Sequence, residues 1–159
     1  MSSKNSLLRG LRVVLVNPHL FPIDLRGELQ STEDGEKHES GMNFGILVIA
    51  NSLTRAGAEV EIVDLQAKHD DWRAALRAAI ARGPTRIVGI GSLSVYSFLP
   101  LVDILRTVKE LDRSLCTIAG GQNAQNLPLL LDKAKATTLL DYLICGDGEK
   151  ATVDLLHCI

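Results

Sequence analysis

The chain has 159 residues, a formal net charge of −2 and 4% aromatic residues. That length fits one domain, and neither the charge nor the few aromatic side chains indicate a nucleic-acid or membrane partner. No segment resembles a signal peptide or a membrane span, and the three cysteines lack C-x-x-C spacing, so we expect a cytoplasmic protein.

Short β-branched runs alternate with helical apolar periods along the chain. The predicted strands cover 11–16, 59–63, 86–91, 115–119 and 141–145, and the predicted helices cover 43–56, 70–82, 100–112, 128–136 and 149–157. Residues 1–10 form a polar tail ahead of one domain over 11–159. The polar stretch 19–42 is a loop of roughly twenty residues, a length that is either functional or disordered.

Strands that alternate with helices predict an α/β fold with a doubly wound parallel sheet. We expect Trp72 to be a packing residue, and the third helix to turn a face with Leu101, Leu105, Val108 and Leu111 inward. Cys116 and Cys145 fall in predicted buried strands, where small apolar core residues are expected. Leu47 and Val48 widen the apolar surface of the first helix, so another surface is expected to cover it.

The carboxyl ends of parallel strands meet at one edge of a sheet, where ligands of open α/β folds bind. The strand ends here are Asn17-Pro18-His19, Asp64, Gly91-Ser92-Leu93-Ser94, Gly120-Gly121-Gln122-Asn123 and Gly146-Asp147-Gly148-Glu149. Three of the five are rich in glycine, which lets the backbone approach a ligand closely. This pattern predicts a bulky, flat or phosphate-bearing ligand.

Several common ligand motifs are missing from these strand ends. The sequence has no G-x-x-x-x-G-K-[ST] phosphate loop, and its first strand ends in Asn-Pro-His instead of G-x-G-x-x-G. Asn17 and Gly91 stand where a phosphoacceptor domain needs acids. The apolar HLFPIDL that follows the first strand disfavours a flavin mononucleotide loop, although a flavin-binding electron carrier stays open as an alternative.

Five segments together resemble the cobalamin-binding domain of many radical S-adenosylmethionine enzymes. They are LRVVLVNPH, GMNFGILVIANSLTRAGAEVEIVD, RIVGIGSLSVYS, IAGGQNA and DYLICGDGEKA, and they extend from Leu11 almost to the end of the chain. The resemblance implies a flavodoxin-like (Rossmann-like) sheet of order 2-1-3-4-5. It also implies that cobalamin, as methylcobalamin or hydroxocobalamin, lies with its corrin flat over the strand ends.

The resemblance assigns the cofactor contacts to residues of this chain. The turn that borders the nucleotide tail is Gly91, Ser92, Leu93 and Ser94, and the next wall is Gly120, Gly121, Gln122 and Asn123. The place that faces cobalt after the first strand belongs to Asn17, Pro18 and His19. The terminal motif is Gly146, Gly148 and Glu149, with Asp147 in place of a more usual glutamate; Glu149 is equally open to a role as a helix-start acid.

His19 is the candidate lower ligand of cobalt. In domains that use such a ligand, the motif after the first strand is Asp-x-His-x-x-Gly. Here the matching residues are Asn17, His19 and Pro22. The aspartate that orients the imidazole is therefore replaced by Asn17, and the glycine is replaced by Pro22. A polar contact without ligation and an ordinary loop histidine remain open.

The radical enzymes also carry a C-x-x-x-C-x-x-C triplet for an iron–sulfur cluster, which this sequence lacks. We expect the cluster and S-adenosylmethionine to belong to a missing catalytic domain, in cis or in trans, so that this chain is either a truncated domain or a separate subunit. Alone it is expected to bind cofactor without turnover. The parent enzyme is expected to be a methyltransferase, and a domain of the same fold that has lost its ligand is the alternative.

Overall fold

The computed structural model describes residues 7–18, 43–66, 71–92 and 97–159. Its strands are β1 (Arg12–Asn17), β2 (Glu59–Asp64), β3 (Thr85–Gly91), β4 (Cys116–Gly120) and β5 (Tyr142–Ile144). Its helices are α1 (Phe44–Arg55), α2 (Trp72–Ala81), α3 (Phe98–Leu111), α4 (Leu127–Lys133) and α5 (Gly148–Cys158), with short 3₁₀ turns at Ala124–Asn126 and Thr137–Leu139. Each predicted strand and helix is therefore present, within a few residues of its predicted bounds.

The strands form a single parallel sheet in the order β2-β1-β3-β4-β5. Strand β1 lies inside the sheet, and its residues are buried throughout, which explains why its centre is a continuous apolar run. Strand β2 is an edge strand and keeps several residues partly or fully exposed. The predicted flavodoxin-like fold and its strand order are confirmed.

Side-chain alternation along β1 divides the core into two layers, because successive strand residues point to opposite faces. Val14 and Val16 pack with α2, α3 and α4 in the larger layer. Val13 and Leu15 pack with α1 and α5 in the smaller layer. Each such fully buried side chain contributes about 1.5–3 kcal/mol to the free energy of unfolding. The smaller layer is the one that holds the candidate site.

The amino-terminal edge of the sheet is occupied by a buried ion-pair network around Arg12, whose side chain is 4% exposed. Its guanidinium donates to the side chains of Glu61 and Thr85 and, at 3.1 Å, to the carbonyl of Ala79. A buried charge is tolerated only when its hydrogen bonds are satisfied in this way. These contacts are structural, so ligand chemistry is to be sought at the opposite, carboxyl edge.

Most side-chain predictions are confirmed. Trp72 is buried among the packing residues, and Leu101, Leu105 and Val108 are fully buried on α3. Leu47 and Val48 are exposed, as expected for an α1 surface that another surface would cover. Residues 7–10 form a turn against α1.

Two side-chain predictions are wrong. Leu111 is 40% exposed because it is the last residue of α3, where the chain turns away from the sheet toward β4. Cys145 is exposed because β5 is a short edge strand that ends at Ile144, whereas Cys116 at the start of β4 is half-buried. In the part of the chain that the structure describes, no helix combines the length and apolar character needed to cross a bilayer.

Candidate functional site

A cavity of about 550 Å³ lies between the sheet and the helices α1 and α5, toward the carboxyl ends of β3 and β4. This volume falls within the range of about 300–1,000 Å³ that is typical of small-molecule sites. Gln122, Gln125 and Glu149 line its outer part and are exposed, whereas Leu15 and Ile118 line its inner part and are buried. The cavity therefore opens at the sheet edge where the sequence predicts a ligand site.

Glycines on β3 keep the floor of the cavity free of side chains. A Cβ atom on Gly89 would lie 2.7 Å from Cδ2 of Leu15, and one on Gly91 would lie 3.0 Å from both Nδ2 of Asn43 and Cδ1 of Ile46. Any larger side chain at these positions would occupy the space between the strand and α1. The missing Cβ atoms therefore let Leu15, Asn43 and Ile46 pack close to β3 beside the cavity.

Gly121 brings the two strand ends together at the cavity wall. Its φ of +114° lies in the left-handed region, and a Cβ there would be 2.6 Å from the carbonyl oxygen of Ser92. The backbone of Ser92 donates to the carbonyl of Gly120 at 2.7 Å and accepts from the N–H of Asn123 at 3.1 Å. This close approach ties the end of β3 to the turn after β4, which only glycine at position 121 permits.

Most of the residues predicted for the site line this cavity. They are Gly91, Ser92, Gly120, Gly121, Gln122, Gly146, Gly148 and Glu149. Asn123 is buried beside Ser92 without lining the cavity. Its Nδ2 has no hydrogen-bond partner among the described residues, whereas its Oδ1 accepts from Asn126 at 2.9 Å. His19, Leu93 and Ser94 lie outside the described residues.

Asn17 and Pro18, which were predicted to face cobalt, form a separate polar network at the end of β1. Asn17 donates through Nδ2 to Asp64 at 3.0 Å and accepts from Nδ2 of Asn43 at 3.3 Å. The carbonyl of Pro18 accepts from Nε2 of Gln66 at 3.1 Å. Asn43 also caps α1 by accepting from the N–H of Ile46. Because Asn43 lines the cavity, the network links the end of β1 to the site.

The mouth of the cavity is polar and carries hydrogen-bonding groups of neutral or negative charge. Gln122 and Gln125 follow β4, and Asp147 and Glu149 stand at the start of α5. The two carboxylates are favourable against the helix dipole. Among the described residues, no cluster of three or more His, Cys, Asp and Glu side chains is placed to hold a metal ion.

Sequence reasoning missed the inner lining of the cavity. Gly89, Ile118, Thr152 and Leu156 were not singled out from the sequence, yet all four line the space. For Gly89 a signal existed, since it shares a strand face with Ile87 and Gly91 by simple alternation. The other three depend on where α5 packs, which no local pattern specifies.

The lining fits a ligand with a slender arm and an amide-rich rim. The arm would enter the cavity that Gly89 and Gly91 help to line. The carboxylate and carboxamide side chains at the mouth can accept hydrogen bonds from carboxamide groups of a ligand. The carboxamide side chains can also donate hydrogen bonds to those ligand groups. Cobalamin has these features, with a nucleotide tail below a corrin whose edge carries carboxamide side chains.

Comparison with known proteins agrees with this fit. A protein-family model described as the B12 binding domain matches residues 38–156. Tryptophan 2-C-methyltransferase from Streptomyces laurentii is 26% identical over 161 aligned residues, which cover 96% of this chain and 24% of that protein.

Two solved structures of the radical S-adenosylmethionine methyltransferase TsrM from Kitasatospora setae are also similar. The structure with cobalamin and a 4Fe-4S cluster bound has a TM-score of 0.65 and 25% identity. The structure with tryptophan and a S-adenosylmethionine analogue has a TM-score of 0.71 and 21% identity, and supports the fold alone. Each alignment covers 91% of this chain and 25% of TsrM, so the chain spans about a quarter of the relatives that it matches.

Proposed function

The chain belongs to the B12-binding domain family, and we propose that its cavity between α1 and α5 holds the nucleotide tail of cobalamin while the corrin lies over the carboxyl edge of the sheet. Its function as a cobalamin-binding domain follows from that membership. The observation that carries the finer proposal is the cavity of about 550 Å³, whose lining includes Gly89, Gly91 and Gly120.

The proposal gives each predicted residue a role in binding. Gly91 and Gly120 admit the tail between the strands and the helices. Gly121 holds Ser92 in place through the close approach of their backbones. Gln122 and Glu149 at the mouth offer hydrogen bonds to the carboxamides of the corrin rim.

The remaining predicted residues frame this site. Gly146 and Gly148 let the chain turn into α5 beside the mouth. Asn17 and Pro18 support the end of β1 beneath the corrin, and Asn123 supports Ser92. His19, Leu93 and Ser94 keep their proposed contacts with the lower face and the tail, with His19 as a candidate cobalt ligand.

We further propose that the chain serves a cobalamin-dependent radical S-adenosylmethionine methyltransferase. The relatives are methyltransferases about four times as long as the segment that matches, so the domain belongs to a longer chain in each of them. Methylcobalamin, when bound, supplies a methyl group for transfer. This chain's own residues bind and orient the cofactor, and S-adenosylmethionine and the iron–sulfur cluster belong to a catalytic domain that is proposed to act in cis.

The exposed apolar residues of α1 support a contact with that catalytic domain. Phe44 is 74% exposed, and Leu47 and Val48 follow it on the same helix with exposed side chains. Val48 and Gly45 also line the cavity, so the patch adjoins the mouth. A catalytic domain seated there would bury apolar surface and approach the cofactor at the same time.

Three free cysteines support the proposal that the protein works in a reducing, cytoplasmic compartment.

A retention experiment tests the proposed function against its alternatives. The protein is incubated with hydroxocobalamin and, separately, with flavin mononucleotide, and each mixture is passed over a desalting column. We expect red protein with about one cobalt per chain and no retained flavin. Yellow protein without cobalt would favour a flavin carrier, and colourless protein in both cases would favour a domain of this fold that has lost its ligand.

A further inference from the structure

The cavity changes character from its mouth to its inner end, and the strand register defines the depth of each residue. Gly91 pairs with Gly120 at the carboxyl end of the sheet. One step deeper, Gly89 stands between Leu15 on β1 and Ile118 on β4. Val13 pairs with Ile87 at the next step down. Gly91 and Gly120 thus add no side chain to the outer row, in which Ile144 of β5 follows Gly120, and the lining side chains of the two inner rows are aliphatic.

Helix α5 closes the inner end. It begins at Gly148 beside the mouth and runs down the sheet, so that Thr152 lies at middle depth and Leu156 lies deepest. Leu156 and Ile87 also line a second depression at the opposite edge of the sheet, so they form the partition between the two spaces. The inner end is therefore a closed, aliphatic pocket.

Hydrogen-bonding groups are scarce around this inner end. Among the described residues that line the cavity below Gly91, Thr152 is the one with a polar side chain, and its hydroxyl donates to the carbonyl of Gly148 at 2.6 Å. The backbone of the strands is already paired within the sheet. A ligand group that reaches this depth loses its water and finds no free donor in return.

We propose that this inner end is a selectivity filter for the base at the tip of the cofactor's tail, and that it prefers cobamides with an apolar benzimidazole base to those with adenine. The inference rests on the proposed function, in which the tail enters the cavity. Dimethylbenzimidazole would place two methyl groups against Leu15, Ile118 and Leu156. Adenine would bury an amine and ring nitrogens without hydrogen-bond partners. Each such unpaired group costs about 1–3 kcal/mol of binding free energy. Binding sites discriminate strongly against a ligand whose buried polar groups are left without hydrogen-bond partners.

Three cobamides test the proposal by equilibrium binding, followed by visible absorbance. Cobalamin carries dimethylbenzimidazole, adeninylcobamide carries adenine, and cobinamide has no nucleotide tail. We expect cobalamin to bind about 10- to 100-fold more tightly than adeninylcobamide. Equal affinities of these two, or a preference for adeninylcobamide, would overturn the filter. If none of the three binds, or if cobinamide binds as tightly as cobalamin, the proposed function itself fails.

Variants of Leu156 test whether the apolar inner end is what causes the preference for cobalamin over adeninylcobamide. Leu156→Asn adds a carboxamide at the inner end, and we expect it to lower the ratio of the two affinities by about tenfold. Leu156→Met keeps the site apolar and is expected to leave the ratio unchanged. Ile118→Thr provides a second polar variant in case Leu156→Asn does not fold. A ratio that is unchanged in the folded polar variant would overturn the proposal.

Discussion

Gly91 on β3 and Gly120 on β4 are partners across the parallel ladder, so two neighbouring strands end at the same level without side chains. Both residues line the cavity beneath α1 and α5. A strand interior loses stability when it contains glycine, because the residue has no side chain to pack. The pair adds no side chain to the lining of the cavity in which we place the nucleotide tail.

Replacement of Gly91 by leucine should block the cavity. A Cβ at this position would already lie 3.0 Å from Asn43 and Ile46, so the rest of a leucine side chain must extend into the cavity. We expect the affinity for hydroxocobalamin to fall by at least about 100-fold, measured by equilibrium dialysis, while the circular dichroism spectrum stays close to that of the wild type.

Ala78→Leu is the matched control for Gly91→Leu, because it adds a similar side chain on the exposed surface of α2, across the sheet from the cavity. Its affinity should equal that of the wild type. Unchanged affinity in folded Gly91→Leu would refute the role of this glycine.

Gly121 and Gly146 allow the backbone clash at position 121 to be measured separately from strain. Both have positive φ, but a Cβ on Gly121 would lie 2.6 Å from the carbonyl of Ser92, whereas one on Gly146 would meet no atom within 4 Å. Gly146→Ala should lower the free energy of unfolding by about 1 kcal/mol through strain alone. Gly121→Ala should lower it by about 2–4 kcal/mol in urea denaturation, since strain and clash add. Equal losses would show that the close approach is not a constraint.

Asp141 should make stability depend on pH in the acid range. Burial raises the pKa of this carboxyl group, but hydrogen bonds from Lys109 and Thr117 lower it more, so the pKa lies below its ordinary value of 3.8. The unfolded state therefore binds protons first as pH falls, and the stabilising contribution is complete above that ordinary value and is lost below it.

The variant Asp141→Asn tests whether the contribution of this carboxylate to the free energy of unfolding falls on acidification. The difference in free energy of unfolding between wild type and variant should be constant from about pH 6 to about pH 5 and should shrink toward about pH 3. Urea denaturation at several pH values measures it. A difference that grows on acidification would contradict the assigned hydrogen bonds.

The apolar patch on α1 should matter for assembly and not for folding. Because Phe44 and Leu47 are exposed, the double replacement by serine should change the free energy of unfolding by no more than about 0.5 kcal/mol per site. It should weaken binding of the cobalamin-loaded protein to a separately produced catalytic domain, measured by isothermal titration calorimetry.

Leu129→Ser on α4 is the control for the α1 patch, since Leu129 is 61% exposed and α4 lies on the other face of the sheet. Its binding to the catalytic domain should be unchanged. Equal weakening by both changes would mean that the α1 patch is not a specific contact surface.

The fold could be predicted because the signals for it are local. The valine run of β1, the apolar period of α1 and the alternation of strands with helices are each visible in short stretches of the sequence. The candidate edge could also be predicted, because parallel strands necessarily bring their carboxyl ends together. Gly91, Gly120, Gly121 and Gly148, which that argument selected, line the cavity.

The inner cavity could not be predicted, because it depends on tertiary packing. Ile118 and Leu156 are ordinary apolar residues in the sequence, and they join one buried cluster only because α5 packs beside α1 on the same face of the sheet. Cys145 was placed in a buried strand because its neighbours are apolar, whereas its exposure follows from the shortness of β5. The strand lengths and the placement of α5 therefore determine which of these side chains are buried, and the local sequence pattern does not.

The central proposal is that the cavity holds the nucleotide tail, where its base would be away from cobalt, and electron paramagnetic resonance of cob(II)alamin bound to the protein tests it most directly. Cobalamin with a ¹⁵N-labelled benzimidazole is compared with unlabelled cofactor, so that coupling from the base is told apart from coupling to a protein nitrogen such as that of His19. We expect the same spectrum with either cofactor, because a base held in the cavity does not coordinate cobalt. A spectrum whose nitrogen splitting changes with the label would show that the base stays on cobalt and would contradict the placement of the tail in the cavity.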